Sequence, residues 1–139
     1  MVNRLELHSL AKIRVKEAKV LLDNGHFEGA YYLLGYAVEC ALKACIAKQI
    51  KRHDFPDKKT VDESYTHKLE PLIRLAGLEI RLTEETKTNN KLATNWTIVK
   101  DWKEESRYRS SISEKTARDF YSAVTARKNG ILAWIKKLW

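Results

Sequence analysis

The chain has 139 residues, a length that suits one compact domain with its own hydrophobic core. Hydrophobic residues make up 44% and charged residues 32%, with five Gly and two Pro, a composition typical of a helix-rich globular protein rather than a disordered one. The formal net charge of +8 favours contact with polyanions such as RNA, nucleotides or acidic protein surfaces. We therefore expect residues 1–139 to form a single domain.

The first thirty residues predict the compartment. They carry charges throughout and contain no continuous apolar segment of the signal-peptide type. Cys40 and Cys45 lie five positions apart, a helical spacing that does not allow normal disulfide geometry, so both are expected in the core. These observations predict a cytoplasmic protein.

The first half of the sequence predicts two long helices. Residues 5–23 have apolar side chains at helical spacing with lysines mostly on the opposite side, which indicates an amphipathic helix. Asn24 and Gly25 follow as a stop signal, and the apolar pattern resumes at Ala30. Because this turn is short, the two helices should be antiparallel neighbours.

Residues 30–47 are apolar enough to raise the question of a membrane span. Their only charged residues are Glu39 and Lys43. Each charge would cost roughly 2.5–3.5 kcal/mol at a bilayer centre, whereas the central helix of a bundle can be apolar nearly all round. The sequence therefore predicts a core helix and no membrane contact.

The middle of the chain predicts a connection and a short helix. Residues 51–66 contain Pro56 and many charged side chains without apolar periodicity, which indicates an exposed connection. The segment "HKLEPLIRLAG", residues 67–77, predicts a short third helix that ends at Gly77. Pro71 implies that this helix starts late or bends.

The last third predicts two more long helices. Thr83 is the expected N-cap of a fourth helix whose apolar stripe reaches Trp102, with a candidate interruption at residues 89–90. Ser111 and Glu114 have capping-box spacing before a final helix that reaches Leu138, with a candidate bend at residues 129–130. The predicted fold class is all-α: an up-and-down helical bundle of four long helices plus a short one.

Three segments resemble the HEPN family of small helical domains: "AKVLLDNGHFEGAYYLLGYAVECALKA", "THKLEPLIRLAG" and "NWTIVKDWKEESRYR". The resemblance implies a helical bundle that commonly pairs into a homodimer, with a polar groove lined by helix two and the end of helix four. Some relatives are metal-independent RNases of toxin–antitoxin, CRISPR or RNA-processing systems. Others lack that activity and bind nucleotides or accompany a minimal nucleotidyltransferase.

The RNase motif of the catalytic relatives is absent from this sequence. It consists of an Arg, four to six further residues and a His, because both side chains must reach one scissile phosphate. No arginine stands at that spacing before any of the four histidines, which are His8, His26, His53 and His67. In "RYRSSIS", Arg107 and Arg109 are followed by serines and isoleucine. A phosphate clamp could remain without its proton-transfer partner, so we expect a noncatalytic protein.

Six residues are candidates for the ligand site. Glu39 and Lys43 have the spacing of a helical ion pair, which either stabilises the bundle edge or lines the polar groove. The remaining four follow from the family pattern or from their place at a helix end: Arg107, Tyr108, Arg109 and His67. Arginines near a helix C-terminus also occur for dipole reasons alone, and His67 is as well explained as a capping or surface residue.

No cofactor or metal site is predicted. His53 and Asp57 lie in the expected connection, and no further ligands recur at zinc-like spacing. The sequence also lacks a Gly-rich phosphate loop. Trp96 and Trp102 are expected in the core or a dimer seam rather than as base-stacking residues.

Three functions remain open from the sequence. The leading hypothesis is a noncatalytic HEPN-type module that binds a nucleotide or RNA phosphate near Arg107, as one component of a two-gene system with a minimal nucleotidyltransferase. The second is a divergent metal-independent RNase in which another residue replaces the missing histidine. The third is a structural domain for dimerisation or partner docking.

Overall fold

The computed structural model describes residues 3–52, 57–108 and 111–139, with the side chains of residues 51, 52, 107 and 108 outside that description. The described residues contain no strand, which confirms the predicted all-α class. Their helices are α1 (Arg4–Asp23), α2 (Phe27–Arg52), α3 (Lys58–Glu63), α4 (Leu69–Leu75), α5 (Glu79–Thr88), α6 (Asn90–Val99), a 3₁₀ helix (Glu104–Tyr108), α7 (Glu114–Thr125) and α8 (Ile131–Lys136).

Helix α1 begins and ends at strong local signals. The Asn3 side chain accepts a hydrogen bond from the Glu6 backbone N–H at 2.9 Å, and the Glu6 carboxylate accepts one from the Asn3 N–H at 3.2 Å. Asn24 is the C-cap residue, and Gly25 follows with a φ of 79°, a left-handed conformation that glycine adopts without strain. The predicted helix stop is confirmed.

Helix α2 is the centre of the bundle. It packs against α1, α4, the 3₁₀ helix, α7 and α8. From Phe27 to Ile50 it is long and apolar enough to cross a membrane, but 67% of its most apolar window is buried inside the protein, as in the core helix of a globular fold. Cys40 and Cys45 are buried there as free thiols, which confirms their expected place in the core.

The expected connection after α2 contains one short helix. The Asp57 carboxylate caps α3 by accepting a hydrogen bond from the Thr60 backbone N–H at 2.6 Å. His53 and Pro56 lie outside the described residues. Helix α4 begins at Leu69, two residues into the predicted segment, and contains Pro71 as its third residue, where no helical partner for a backbone N–H is needed. It is followed by Gly77, whose φ is 73°.

The predicted fourth helix is two helices. It begins at Glu79, and Thr83 lies inside α5 instead of capping it: the Thr83 hydroxyl donates to the Glu79 carbonyl at 2.9 Å. Asn89 ends α5 and caps α6, since its side chain accepts from the Leu92 backbone N–H at 3.1 Å. Trp102 follows the end of α6 and is almost fully buried.

The predicted final helix is also divided. Its N-cap is Ser113, which accepts from the Thr116 backbone N–H at 3.1 Å, and not Ser111 as predicted. The chain leaves the helical conformation at Ala126, and α8 begins after Gly130, close to the predicted bend. A side chain at Gly130 would overlap with the Ala126 backbone, so the close approach of these two segments requires glycine.

Candidate ligand site

Glu39 is buried in the middle of α2, and its carboxylate is held by two other residues. It has 2% of its surface exposed. Its Oε2 accepts a hydrogen bond from Lys43 Nζ at 3.1 Å, one helical turn further along. The predicted helical ion pair is therefore present. Because a buried charge is costly unless it is paired and hydrogen-bonded, Lys43 accounts for part of the stability of Glu39 in this position.

His67 is the second partner of Glu39. Its Nδ1 lies 3.0 Å from Glu39 Oε2, although the two residues are 28 positions apart in the sequence. Its Nε2 lies 3.5 Å from Glu104 Oε2 in the 3₁₀ helix. His67 does not cap α4, because the N-cap is Lys68. The imidazole thus connects the middle of α2 to the start of the 3₁₀ helix.

The three predicted residues Arg107, Tyr108 and Arg109 belong to or follow the 3₁₀ helix. The structure gives the backbone of Arg107 and Tyr108, while their side chains and the whole of Arg109 lie outside the described residues. The 3₁₀ helix itself packs against α2. The backbone that carries Arg107 therefore lies in the part of the fold where Glu39, His67 and Glu104 meet. We call these three residues with Lys43 the polar cluster.

Trp102 packs against α2 just before the 3₁₀ helix begins. Trp102 has 1% of its surface exposed and lies over Gly35, one turn before Glu39. A Cβ at Gly35 would overlap with the indole ring, so glycine permits this close approach. Ser106, inside the 3₁₀ helix, is also buried. These contacts fix the position of the segment that precedes Arg107.

An apolar groove lies beside the polar cluster. It has a volume of about 520 Å³ and runs between α1, α2 and the residues that follow α3. Its apolar lining includes Leu7, Leu10, Tyr36, Cys40, Ile46 and Ile50. Its polar lining consists of Glu39, Lys43, Ser64 and Tyr65, so the polar cluster and the groove share two residues.

Two residues near Glu39, Cys40 and Tyr36, have raised pKa values. Burial raises the pKa of the Cys40 thiol to about 11, and the negative charge of Glu39 acts in the same direction. Burial also raises the pKa of Tyr36, with smaller contributions from Cys40 and Glu39. Both groups therefore remain protonated near neutral pH and line the groove as neutral side chains.

One of the two carboxylate oxygens of Glu39 makes no hydrogen bond to a described residue. Oε1 is buried and has no hydrogen-bond partner among the described residues, while Oε2 has both Lys43 and His67. Buried polar atoms in folded proteins are nearly always paired, so an unpaired carboxylate oxygen needs an explanation. No group of three metal-ligating side chains occurs in the described part of the chain.

Sequence reasoning found part of this arrangement. It named Glu39, Lys43 and His67, and the structure brings these three together. It missed Glu104 and the groove. Glu104 lies three positions before Arg107 in a segment that carries the family resemblance, which was the available signal. The groove depends on the relative positions of α1, α2 and the residues that follow α3, and no local pattern encodes it.

A family model for the HEPN domain matches residues 6–138. The match covers nearly the whole sequence, so the chain belongs to the HEPN domain family, as the three sequence segments predicted. Membership relates the protein in general terms to nucleotide- and RNA-associated modules. Searches of curated proteins and of solved structures found no significant match.

Proposed function

We propose that the protein is a noncatalytic HEPN module that binds a phosphate of a nucleotide or RNA beside Arg107. The observation that carries the proposal is the polar cluster itself: a buried Glu39 carboxylate that holds Lys43 and His67 next to the 3₁₀ helix. A carboxylate buried among cationic or donor side chains fixes their positions, and fixed donors lose less entropy when they bind an anion. The positive net charge of +8 attracts such a ligand to the surface.

The contacts of His67 support a positioning role rather than catalysis. Its two ring nitrogens face Glu39 and Glu104, so neither nitrogen is directed at a substrate. A general acid or base needs hydrogen-bond reach to the proton that it transfers. Together with the missing Arg–His motif, this geometry favours a positioning role for His67.

One observation favours the divergent RNase as a second candidate. The fold brings His67 within 3.5 Å of Glu104, three positions before Arg107, although no histidine follows Arg107 at the family spacing. A histidine supplied from the α4 side could replace the one missing from the motif. In this case a phosphate bound near Arg107 would draw the imidazole away from Glu104 and toward the scissile bond.

The proposed assembly follows the family. We infer a homodimer in the cytoplasm, built from single domains, and a minimal nucleotidyltransferase as the protein partner in a two-gene system of the toxin–antitoxin kind. Family membership and the absence of the RNase motif support this arrangement. Size-exclusion chromatography with light scattering tests the dimer, and co-purification with the product of a neighbouring gene tests the partner.

The binding proposal is tested with labelled RNA and labelled nucleotides in EDTA. Retention on a filter and fragment size are read for the wild type, Arg107→Ala, His67→Gln and the control Arg118→Ala, which removes the same charge from the exposed side of α7. We expect retention without fragments, lost in Arg107→Ala and kept in Arg118→Ala. Fragments that depend on both Arg107 and His67 would establish the RNase instead. Absence of retention and of fragments would overturn both and favour the docking domain.

A further inference from the structure

We infer that the apolar groove holds the base of the bound nucleotide, and that an exocyclic amino group of this base donates a hydrogen bond to Glu39 Oε1. The inference rests on the proposed function. That function specifies only the phosphate of the ligand, and the inference adds the base. The groove has a volume of about 520 Å³, within the range of about 300–1,000 Å³ usual for small-molecule sites.

The free oxygen of Glu39 specifies the kind of donor. Lys43 already balances the carboxylate charge, and His67 occupies the same oxygen as Lys43. A second cation would place excess positive charge in a buried site, which is costly. A neutral N–H donor satisfies Oε1 without adding charge. The amino groups of adenine and cytosine are such donors, and carboxylates accept hydrogen bonds from base amino groups of this type.

The rest of the groove suits a flat ring. Its walls are the aliphatic side chains of α1 and α2, together with two aromatic residues, Tyr36 and Tyr65. Tyr65 lines the groove and is 68% exposed. Bases stack on aromatic side chains, so a base in the groove would cover the exposed face of Tyr65. The Tyr36 hydroxyl stays protonated because burial raises its pKa.

The groove and the phosphate site can be separated by substitution. Ala47 lines the groove one turn after Lys43 and is only partly buried, so Ala47→Phe fills the groove and keeps every residue of the polar cluster. Ala93→Phe is the matched control, because Ala93 is also partly buried in a helix, α6, and lies outside the groove. Circular dichroism and melting curves check that both variants fold.

The ligand pair that tests the amino group is AMP against purine riboside 5′-monophosphate, which has the same ring and phosphate without the amino group. Calorimetry on the wild type is expected to give at least a tenfold weaker affinity for purine riboside 5′-monophosphate, the usual size of a lost hydrogen bond to a charged acceptor. CMP, which carries an amino group, should bind like AMP. Equal affinities for AMP and purine riboside 5′-monophosphate, or no binding of AMP and CMP, would overturn the inference.

The variants distinguish failure of the inference from failure of the proposed function. We expect Ala47→Phe to weaken AMP binding at least tenfold and to leave pyrophosphate binding unchanged, while Ala93→Phe changes neither. If Arg107→Ala abolishes both and Ala47→Phe affects neither, the phosphate site stands and the base site is wrong. If Ala47→Phe weakens AMP binding and Arg107→Ala does not, the base site stands and the phosphate site near Arg107 is wrong.

Discussion

The indole ring of Trp102 lies directly over the backbone of Gly35, so closely that no side chain fits at this position of α2. Trp102 is among the most deeply buried large residues of the protein. It follows α6 and precedes the 3₁₀ helix, so the contact determines where the backbone of Arg107 lies relative to Glu39. One glycine in a long helix therefore positions the candidate ligand site.

The first prediction concerns this contact. Gly35→Ala should lower the free energy of unfolding by about 1–3 kcal/mol, the usual cost of overpacking, because the added Cβ displaces Trp102. Chemical denaturation followed by tryptophan fluorescence measures the change. Gly29→Ala in the same helix is the control: its Cβ would meet only the end of the flexible Leu21 side chain, at 3.1 Å. A Gly35→Ala protein as stable as Gly29→Ala would contradict the close packing.

The second prediction concerns the pairing of Glu39 with His67. Glu39→Gln should cost about 1–3 kcal/mol of stability, because Lys43 and His67 lose their charged acceptor. A double-mutant cycle with His67→Gln should give a coupling energy of about 1 kcal/mol, typical of residues in direct contact. Glu70→Gln on the exposed side of α4 is the control and should change stability little. Additive effects of the two substitutions would exclude a direct interaction.

The third prediction concerns the two thiols. Burial raises the pKa of both Cys40 and Cys45 to about 11, so at pH 8 roughly one thiol in a thousand is ionised. The folded protein should therefore react very slowly with a disulfide reagent at pH 8, and both thiols should react at once in denaturant. A Ser9→Cys variant, exposed on α1, supplies a fast-reacting reference. Rapid labelling of either thiol in the native wild type would contradict their burial.

The fourth prediction concerns pH. His8 stacks on Trp139 with ring centroids 3.9 Å apart, and burial, then the charges of Arg4 and Lys12, lower its pKa below the usual 6.5. Because the folded state disfavours the protonated ring, the contribution of His8 to stability is complete above pH 6.5 and is lost as the pH falls through the lower folded-state pKa. Melting temperatures at pH 7 and pH 5 should show this loss.

The control for that prediction is His8→Phe, which keeps an aromatic ring against Trp139 and removes the titrating group. Its stability should depend less on pH between 7 and 5 than that of the wild type. The same decrease in both proteins would show that the pH dependence does not come from His8.

The sequence predicted the helices correctly where the apolar period and the stop signal indicate the same boundary. Helix α1 has an apolar period, and both α1 and α4 stop two residues before a glycine, Gly25 and Gly77, in the left-handed conformation that favours glycine. Thr83 was misread because threonine also occurs inside helices, where its hydroxyl bonds to a carbonyl one turn earlier. The predicted interruption at residues 89–90 is confirmed: the apolar stripe continues across it, but the Asn89 side chain caps α6 and donates to Asn129 at 2.8 Å.

For the candidate site, too, the sequence predicted the contact between residues that are close in the chain and not the contacts between distant ones. Glu39 and Lys43 form a pair that the i, i+4 spacing reveals, and the structure shows that pair at 3.1 Å. The contact of Glu39 with His67 joins residues that are 28 positions apart, so it depends on how α4 packs on α2. The approach of Glu104 depends in turn on Trp102 and Gly35. Tertiary contacts of this kind produce no periodic pattern in the sequence.

The central place of α2 has a consequence for synthesis. Among the described elements that pack on this apolar helix, only α1 precedes it in the chain and is made before it. The other faces of α2 stay uncovered until α4, the 3₁₀ helix, α7 and α8 have been made. A nascent chain that stalls before α7 therefore presents an apolar surface, to which chaperones bind or at which aggregation begins.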